Sequence, residues 1–229
     1  AREWFEQGLE IARRLVSLEP ENTEYLRDLS ISYNQLGGLD GRTDAGKARE
    51  WFAQGLEIAR RLVSLEPENT TYLRDLSISY NQLGRLDGRA DPGKVRKWFA
   101  EGLEIARRLV SLEPESMSAW DNLGVLHARL AEWAKQHGTA EDERLHSREY
   151  LRCAARAVEL EPGNQRTLYS LACGFARVGE AMQALDALGR AVDLGWVDAD
   201  WAAQDPDFVS LRGLAEFNTL LERMRGQSG

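Results

Sequence analysis

The residues best placed to do chemistry lie in two Gly-rich stretches, GRTDAGKA at Gly41 to Ala48 and GRADPGKV at Gly88 to Val95. Both have the G-x4-G-K spacing that lets backbone N–H groups cradle a phosphate. Nucleotide chemistry further requires a hydroxyl after the lysine to hold Mg²⁺ and an apolar strand ahead of the first glycine. Here Ala48 and Val95 follow the lysines, and Asn34-Gln35-Leu36-Gly37 reads as the end of a helix, so turn formation explains the glycines better. His127, His137 and His146 fall 10 and 9 residues apart, which puts no two at i, i+4, and there is no HExxH. His127 takes a packing position in its helix. The pairs Asp40/Asp44 and Asp87/Asp91 lack the alternating oxygen ligands and closing Glu of a calcium loop, and read as turn residues. Cys153 and Cys173 have no Cys or His at ligand spacing and read as two buried thiols. With no nucleophile elbow and no Cys–His pairing, the expectation is no catalytic residue, no cofactor, no metal and no enzyme activity.

The elements that carry these residues are soluble ones. Among 229 residues, 29 basic and 37 acidic side chains give a net charge of −8, which argues against nucleic-acid and anionic-membrane binding. The composition is 43% hydrophobic and 29% charged, enough to bury a core, with no apolar run of membrane-spanning length and no signal peptide near residue 1. A cytoplasmic location is expected. Ala1 falls inside a helical pattern, which suggests a fragment of a longer chain.

One repeat dominates. Arg2 to Ala48 recurs at Arg49 to Val95 with six changes in 47 positions: Glu6/Ala53, Glu24/Thr71, Gly38/Arg85, Thr43/Ala90, Ala45/Pro92 and Ala48/Val95. A third copy opens at Arg96 and diverges after Ser116, and a fourth begins near residue 148, with AVELEPGN at 157 to 164. Within the unit, Phe5, Leu9, Ala12 and Val16 share one helical stripe while Trp4, Gly8, Ile11, Leu15 and Leu18 share another, so this helix is buried on two sides. Pro20 stops it near Leu18. Asn22 or Thr23 caps a second helix bearing Leu26, Leu29, Tyr33 and Leu36, which the sequence ends at Gly37-Gly38, ahead of a polar connector LDGRTDAGK. Nothing alternates with period two, so no sheet is expected.

These residues resemble the tetratricopeptide repeat family. WDNLGVLH at 120 to 127 resembles its W-x2-L-G-x2-Y signature with His127 for Tyr, and the earlier copies run Leu26-x2-Leu29-Ser30-x2-Tyr33 and Leu73-x2-Leu76-Ser77-x2-Tyr80. Residues 168 to 194 resemble an ordinary 34-residue copy, with Leu168, Leu171, Ala172 and Phe175, Gly179 at the turn, then Ala184, Leu188 and Ala191. The 47-residue copies are similar to the longer kinesin-light-chain-like variety, with Ala48-x3-Phe52-x2-Gly55-Leu56-x-Ile58, and their excess is assigned to a longer connector and a longer second helix. The resemblance implies an all-α, right-handed helical-hairpin solenoid over residues 1–195, with repeats near 2, 49, 96 and 148. Residues 196–229 then form a C-terminal cap, in which Asp205-Pro206 starts a helix and Phe208, Leu211, Leu214, Phe217, Leu220 and Leu221 supply the apolar face. Similar tails close such arrays in multidomain bacterial proteins.

It also implies a concave groove lined by the first helix of each hairpin. The inward positions are Glu24, Arg27, Ile31, Asn34 and Gln35; Thr71, Arg74, Ile78, Asn81 and Gln82; Ser118, Asp121, Val125, Ala128 and Arg129; and Arg166, Tyr169, Cys173, Ala176 and Arg177. Arg27 and Arg74 can fork to carboxylates, Asn34 and Asn81 can bond a peptide backbone, and Ile31, Ile78 and Val125 form an apolar floor. The expected function is a protein-interaction scaffold that binds an acidic peptide or protein segment, with no nucleic acid or membrane as partner. The alternatives are a regulatory or oligomerising arm of a larger signalling NTPase, protease or kinase whose catalytic domain lies elsewhere, and a passive spacer. Trp4, Ile11 and Leu15 lack a first-type helix to cover them, which predicts self-association through that end.

Overall fold

The computed structural model describes residues 2–88 and 91–227. Ala1 and, within the second Gly-rich stretch, Arg89 and Ala90 lie outside the described residues. Two compact units divide at residues 113 and 114. The first holds α1 (Arg2–Leu18), α2 (Thr23–Asp40), α3 (Ala45–Leu65), α4 (Thr70–Asp87) and α5 (Pro92–Leu112). In the second are α6 (Met117–His137), α7 (Ala140–Leu160), α8 (Gln165–Arg177), α9 (Ala181–Asp193), α10 (Ala199–Gln204), a 3₁₀ turn at Pro206–Phe208 and α11 (Ala215–Gln227). Among the described residues no strand occurs, and no helix is long and apolar enough to cross a membrane.

Capping sets the boundaries of the first unit. The Asn22 carboxamide oxygen accepts the N–H groups of Glu24 and Tyr25, and Asn69 does the same for Thr71 and Tyr72 one repeat later. Asp44 and Asp91 cap α3 and α5 by accepting from the N–H of Lys47 and Lys94. Gly37-Gly38 does not end α2, which continues to Asp40, as α4 continues to Asp87. The reason is tertiary: a Cβ on Gly37 would lie 2.6 Å from the Phe52 ring, so this glycine lets α3 approach rather than stopping α2. The connector is therefore only residues 41–44. Both helices, not the connector, absorb the extra length: α2 has 18 residues and α3 has 21, against 13 each in α8 and α9.

The apolar stripes read from spacing form the cores. Leu9 and Ala12 of α1 meet Leu29, Tyr33 and Leu36 of α2, while Ala48, Phe52, Leu56 and Ala59 of α3 meet Leu76, Tyr80 and Leu83 of α4. Burial on two sides holds for α3, where Phe52 and Leu56 are buried on one stripe and Gly55 and Leu62 on the other. In α1 it fails: Trp4 and Ile11 are 78% and 62% exposed.

In the second unit, Thr139 and Asp142 form a reciprocal capping box at the start of α7. Gly179, at φ +87°, turns α8 into α9 in a conformation that favours glycine. Beyond α9 the chain folds back on this hairpin. Phe208, Leu211, Phe217, Leu220, Leu221 and Met224 are buried in one cluster with Leu168, Tyr169 and Leu188. Leu214 lies at the exposed margin.

Candidate interaction surface

In the first unit the expected groove residues form a ladder between α2 and α4. Arg27 of α2 bonds through Nε to Asp75 of α4 at 2.8 Å, and this contact raises the guanidinium pKa against the lowering effect of burial. Asn34 donates to the Ser79 hydroxyl at 3.4 Å. Arg74, at the position equivalent to Arg27, reaches Glu113 at 2.8 Å. Ile31 is half-buried and Ile78 is 37% exposed, so the pair presents apolar surface between these polar contacts. The carboxamide oxygens of Asn34, Asn81 and Gln82 and the Nε of Arg74 are buried without hydrogen-bond partners. Both arginines thus already hold one carboxylate each.

Beneath that ladder is a feature the spacing did not disclose. Asp40, buried in the last turn of α2, accepts the indole N–H of Trp51 at 3.0 Å and two guanidinium N–H groups of Arg2 at 2.7 and 3.2 Å. The guanidinium holds its carboxyl below the ordinary value of 3.8, outweighing the cost of burial. One period on, Asp87 pairs with Arg49 and accepts from Trp98 at 3.2 Å. The Asp40 and Asp87 side chains therefore each lock three successive helices, while their carbonyls accept N–H groups of the connector that follows. The signal was present in the sequence: in both copies the Asp precedes a Trp by 11 residues.

In the second unit, Asp121 of α6 pairs with Arg166 of α8 at 3.1 Å, and Val125, Ala128 and Arg129 are half-buried on α6. The last set is covered. Tyr169 is 6% exposed, stacks on Trp196 with centroids 4.3 Å apart, and donates its hydroxyl to Asp205 at 2.7 Å. Burial and the Asp205 carboxylate both push its pKa up. Arg177 pairs with Asp207 at 2.7 Å, and Cys173 and Ala176 are buried. This face is occupied by the chain's own Asp205 to Phe208 segment, because its two carboxylates and one aromatic ring match the groups α8 presents.

Two further side-chain clusters lie in the second unit. His127 and His146, 19 residues apart, meet across the α6/α7 hairpin with their Nδ1 atoms 3.0 Å apart. They replace the Tyr33–Trp51 and Tyr80–Trp98 ring pairs of the earlier repeats, whose centroids lie 5.9 and 6.1 Å apart. The histidines fall on facing helices, which spacing along one helix does not test. Cys173, Asp205 and Asp207 bring their ligand-type atoms within 4.8 Å of one another. Their oxygens are engaged by Tyr169, the Asp207 N–H and Arg177, and the adjacent guanidinium opposes a cation. Both cysteines are free thiols. Burial pushes Cys153 up to about 12, and Cys173 well above the ordinary thiol value.

Helical hairpins with these packing positions define a helical-repeat fold, and solved structures of tetratricopeptide-repeat proteins share that fold. Over 86% of each chain, this protein is similar to TTC0263, a thermophilic TPR protein of Thermus thermophilus, at 20% identity and a TM-score of 0.58. MamA from Desulfovibrio magneticus RS-1, from residue 41 to its end, is similar over 84% of this chain and 86% of its own, at 16% identity and a TM-score of 0.57. At such identities the likeness speaks for the fold. No protein-family profile matches the chain, and no curated protein does.

Proposed function

We propose that the chain is a non-catalytic interaction scaffold that binds an acidic peptide or protein segment along the first-type helices of its hairpins. The observation that carries this reading is the periodic row of Arg27, Ile31 and Asn34 on α2 and Arg74, Ile78 and Asn81 on α4. Arg27 and Arg74 are 38% and 30% exposed, and each spends one guanidinium nitrogen on its carboxylate partner. A guanidinium has five N–H donors in a planar fork, so a second carboxylate fits without breaking the first bond. The second unit carries Asp121, Val125 and Ala128 at equivalent positions, with Arg129 matching Gln35 and Gln82, while Tyr169 and Arg177 serve the chain's own C-terminal segment. The net charge of −8 opposes nucleic acid as the partner, and two free, buried thiols suit a reducing cytoplasm. An oligomerising arm of a larger protein is the second reading, favoured by the exposed Trp4 and Ile11.

The test is fluorescence anisotropy with a labelled acidic peptide ending in a free carboxylate, titrated at rising salt. Affinity is expected to fall with salt and to be lost in Arg27→Glu with Arg74→Glu. The neutral pair Arg27→Gln with Arg74→Gln, which avoids setting Glu against Asp75 and Glu113, should lose it as well. Unchanged binding in both folded variants would remove the groove and favour a spacer.

A further inference from the structure

At the connector end of the α2/α3 hairpin, beside the last turns of α4, lies a cleft of about 360 Å³ whose walls include Gly37, Gly38, Gly41, Arg42, Phe52 and Arg85. It exists because of a difference between repeats. Position 38 is Gly in the first copy, and a Cβ there would meet nothing within 4 Å. The same position in the second copy is Arg85, whose side chain forms the opposite wall.

The cleft is cationic within an acidic chain. Arg2, Arg27, Arg49, Arg60 and Arg74 in this unit all pair with carboxylates. Among the described residues, Arg42 and Arg85 are exposed and have neither a hydrogen bond nor an ion pair, and no acidic side chain lines the cleft. The nearest in sequence are engaged elsewhere: Asp40 by Arg2 and Trp51, Asp44 as the cap of α3. Two of the last four carbonyls of α2 are engaged, since the Gly37 carbonyl accepts from Gly41 and the Asp40 carbonyl from Thr43 and Asp44. In the wall, the Gln82 carboxamide oxygen is buried without a partner, so turning that amide toward a bound group sacrifices no bond at the oxygen.

We infer that this cleft is a binding subsite for a single oxyanion, a carboxylate or phosphoryl group carried on the partner's polypeptide and forked between Arg42 and Arg85. The glycines leave room for the group to approach the backbone, and the Phe52 ring closes the back of the site. Planar guanidiniums favour such oxyanions through paired N–H donors. Gly41 and Arg42 belong to the stretch whose spacing imitates a nucleotide loop. They serve here without the strand and hydroxyl that nucleotide chemistry requires. The inference rests on the scaffold reading for the source of the group, but the anion site itself is testable without any partner.

The experiment titrates the whole chain with inorganic phosphate, and separately with acetate, following the backbone amides of Gly38 and Gly41 and the Nε–H signals of Arg42 and Arg85 by NMR. Saturable shifts at these positions are expected. Arg42→Ala and Arg85→Ala should each weaken binding by about tenfold or more, the weight of one charge-assisted hydrogen bond. Gly38→Arg is the decisive variant. It adds a positive charge but fills the cleft, so a shaped site loses binding whereas diffuse attraction gains it. Absent or non-saturating shifts, or equal or tighter binding in Gly38→Arg, overturn the subsite. If phosphate fails to bind while the acidic peptide still depends on Arg27 and Arg74, the subsite falls and the scaffold reading stands. Saturable phosphate binding alongside peptide binding that ignores Arg27 and Arg74 leaves the subsite and removes the groove. Circular dichroism confirms that each variant folds, as substitution at exposed positions should allow.

Discussion

Trp51 donates its indole N–H to the buried carboxylate of Asp40 at 3.0 Å, joining the start of α3 to the last turn of α2. Arg2 of α1 closes on the same carboxylate, so one side chain fastens three consecutive helices. Asp40→Ala leaves a partly buried indole N–H without its acceptor and should cost about 1–3 kcal/mol. Urea unfolding at neutral pH measures it.

The same carboxylate sets an acid limit. Its folded-state pKa is depressed below 3.8, so it contributes stability in full above its unfolded value, and that stability is lost as pH falls through the folded value. Unfolding followed between pH 7 and pH 2 should show the wild-type chain weakening steeply below about pH 4. Asp40→Asn should flatten that limb. An identical acid profile in the variant would mean the charge contributes nothing.

Leu76 is 3% exposed, between Phe52 and Tyr80 in the α3/α4 core. Leu76→Ala should cost about 2–5 kcal/mol, the lost transfer energy plus the cavity left behind. A cost below about 0.5 kcal/mol, typical of a surface site, would place the core elsewhere.

The periodic residues were legible from spacing, and the pairings across helices were not. Leu26, Leu29, Tyr33 and Leu36 recur at three and four residues, and all four are buried. Gly37 misled because its propensity to end a helix is weaker than the gain from admitting the Phe52 ring. His127 and His146 meet through hairpin geometry, which a search for i, i+4 ligands does not sample. Arg27 and Arg74 could be placed on one face, but their carboxylate partners Asp75 and Glu113 lie 48 and 39 residues away. Nor does any local rule announce that the Asp205 to Phe208 segment folds back over Tyr169.

Cys153 and Cys173 should resist alkylation. Both are buried and both thiol pKa values are raised by desolvation, so little thiolate exists near neutral pH. Labelling with a maleimide at about pH 7.5 is expected to be slow in the native chain and rapid in denaturant. Fast native labelling of either cysteine would show that the α7/α8 core opens readily.

The exposed face of α1 leads to a prediction about assembly. Trp4, Ile11 and Leu18 are 78%, 62% and 69% exposed, forming an apolar strip on one side of a helix whose other side packs on α2. The matching residues of α3 show what such a strip binds: Trp51 and Ile58 pack against the α2 core, and the Trp51 ring stacks on Tyr33. A first-type helix from a second copy carries that same surface, covered there by the helix that follows it, so exchange of hairpins between copies is expected to appear as concentration rises. Sedimentation over a wide concentration range tests this, and a monomer throughout would sink it. Trp4→Glu with Ile11→Glu should abolish the association, since charges on the strip oppose its burial. Fusing a copy of residues 69–84 ahead of Ala1 should suppress it by covering the strip in cis. Association that survives both changes would run through another surface, either the α2/α4 ladder or the C-terminal segment.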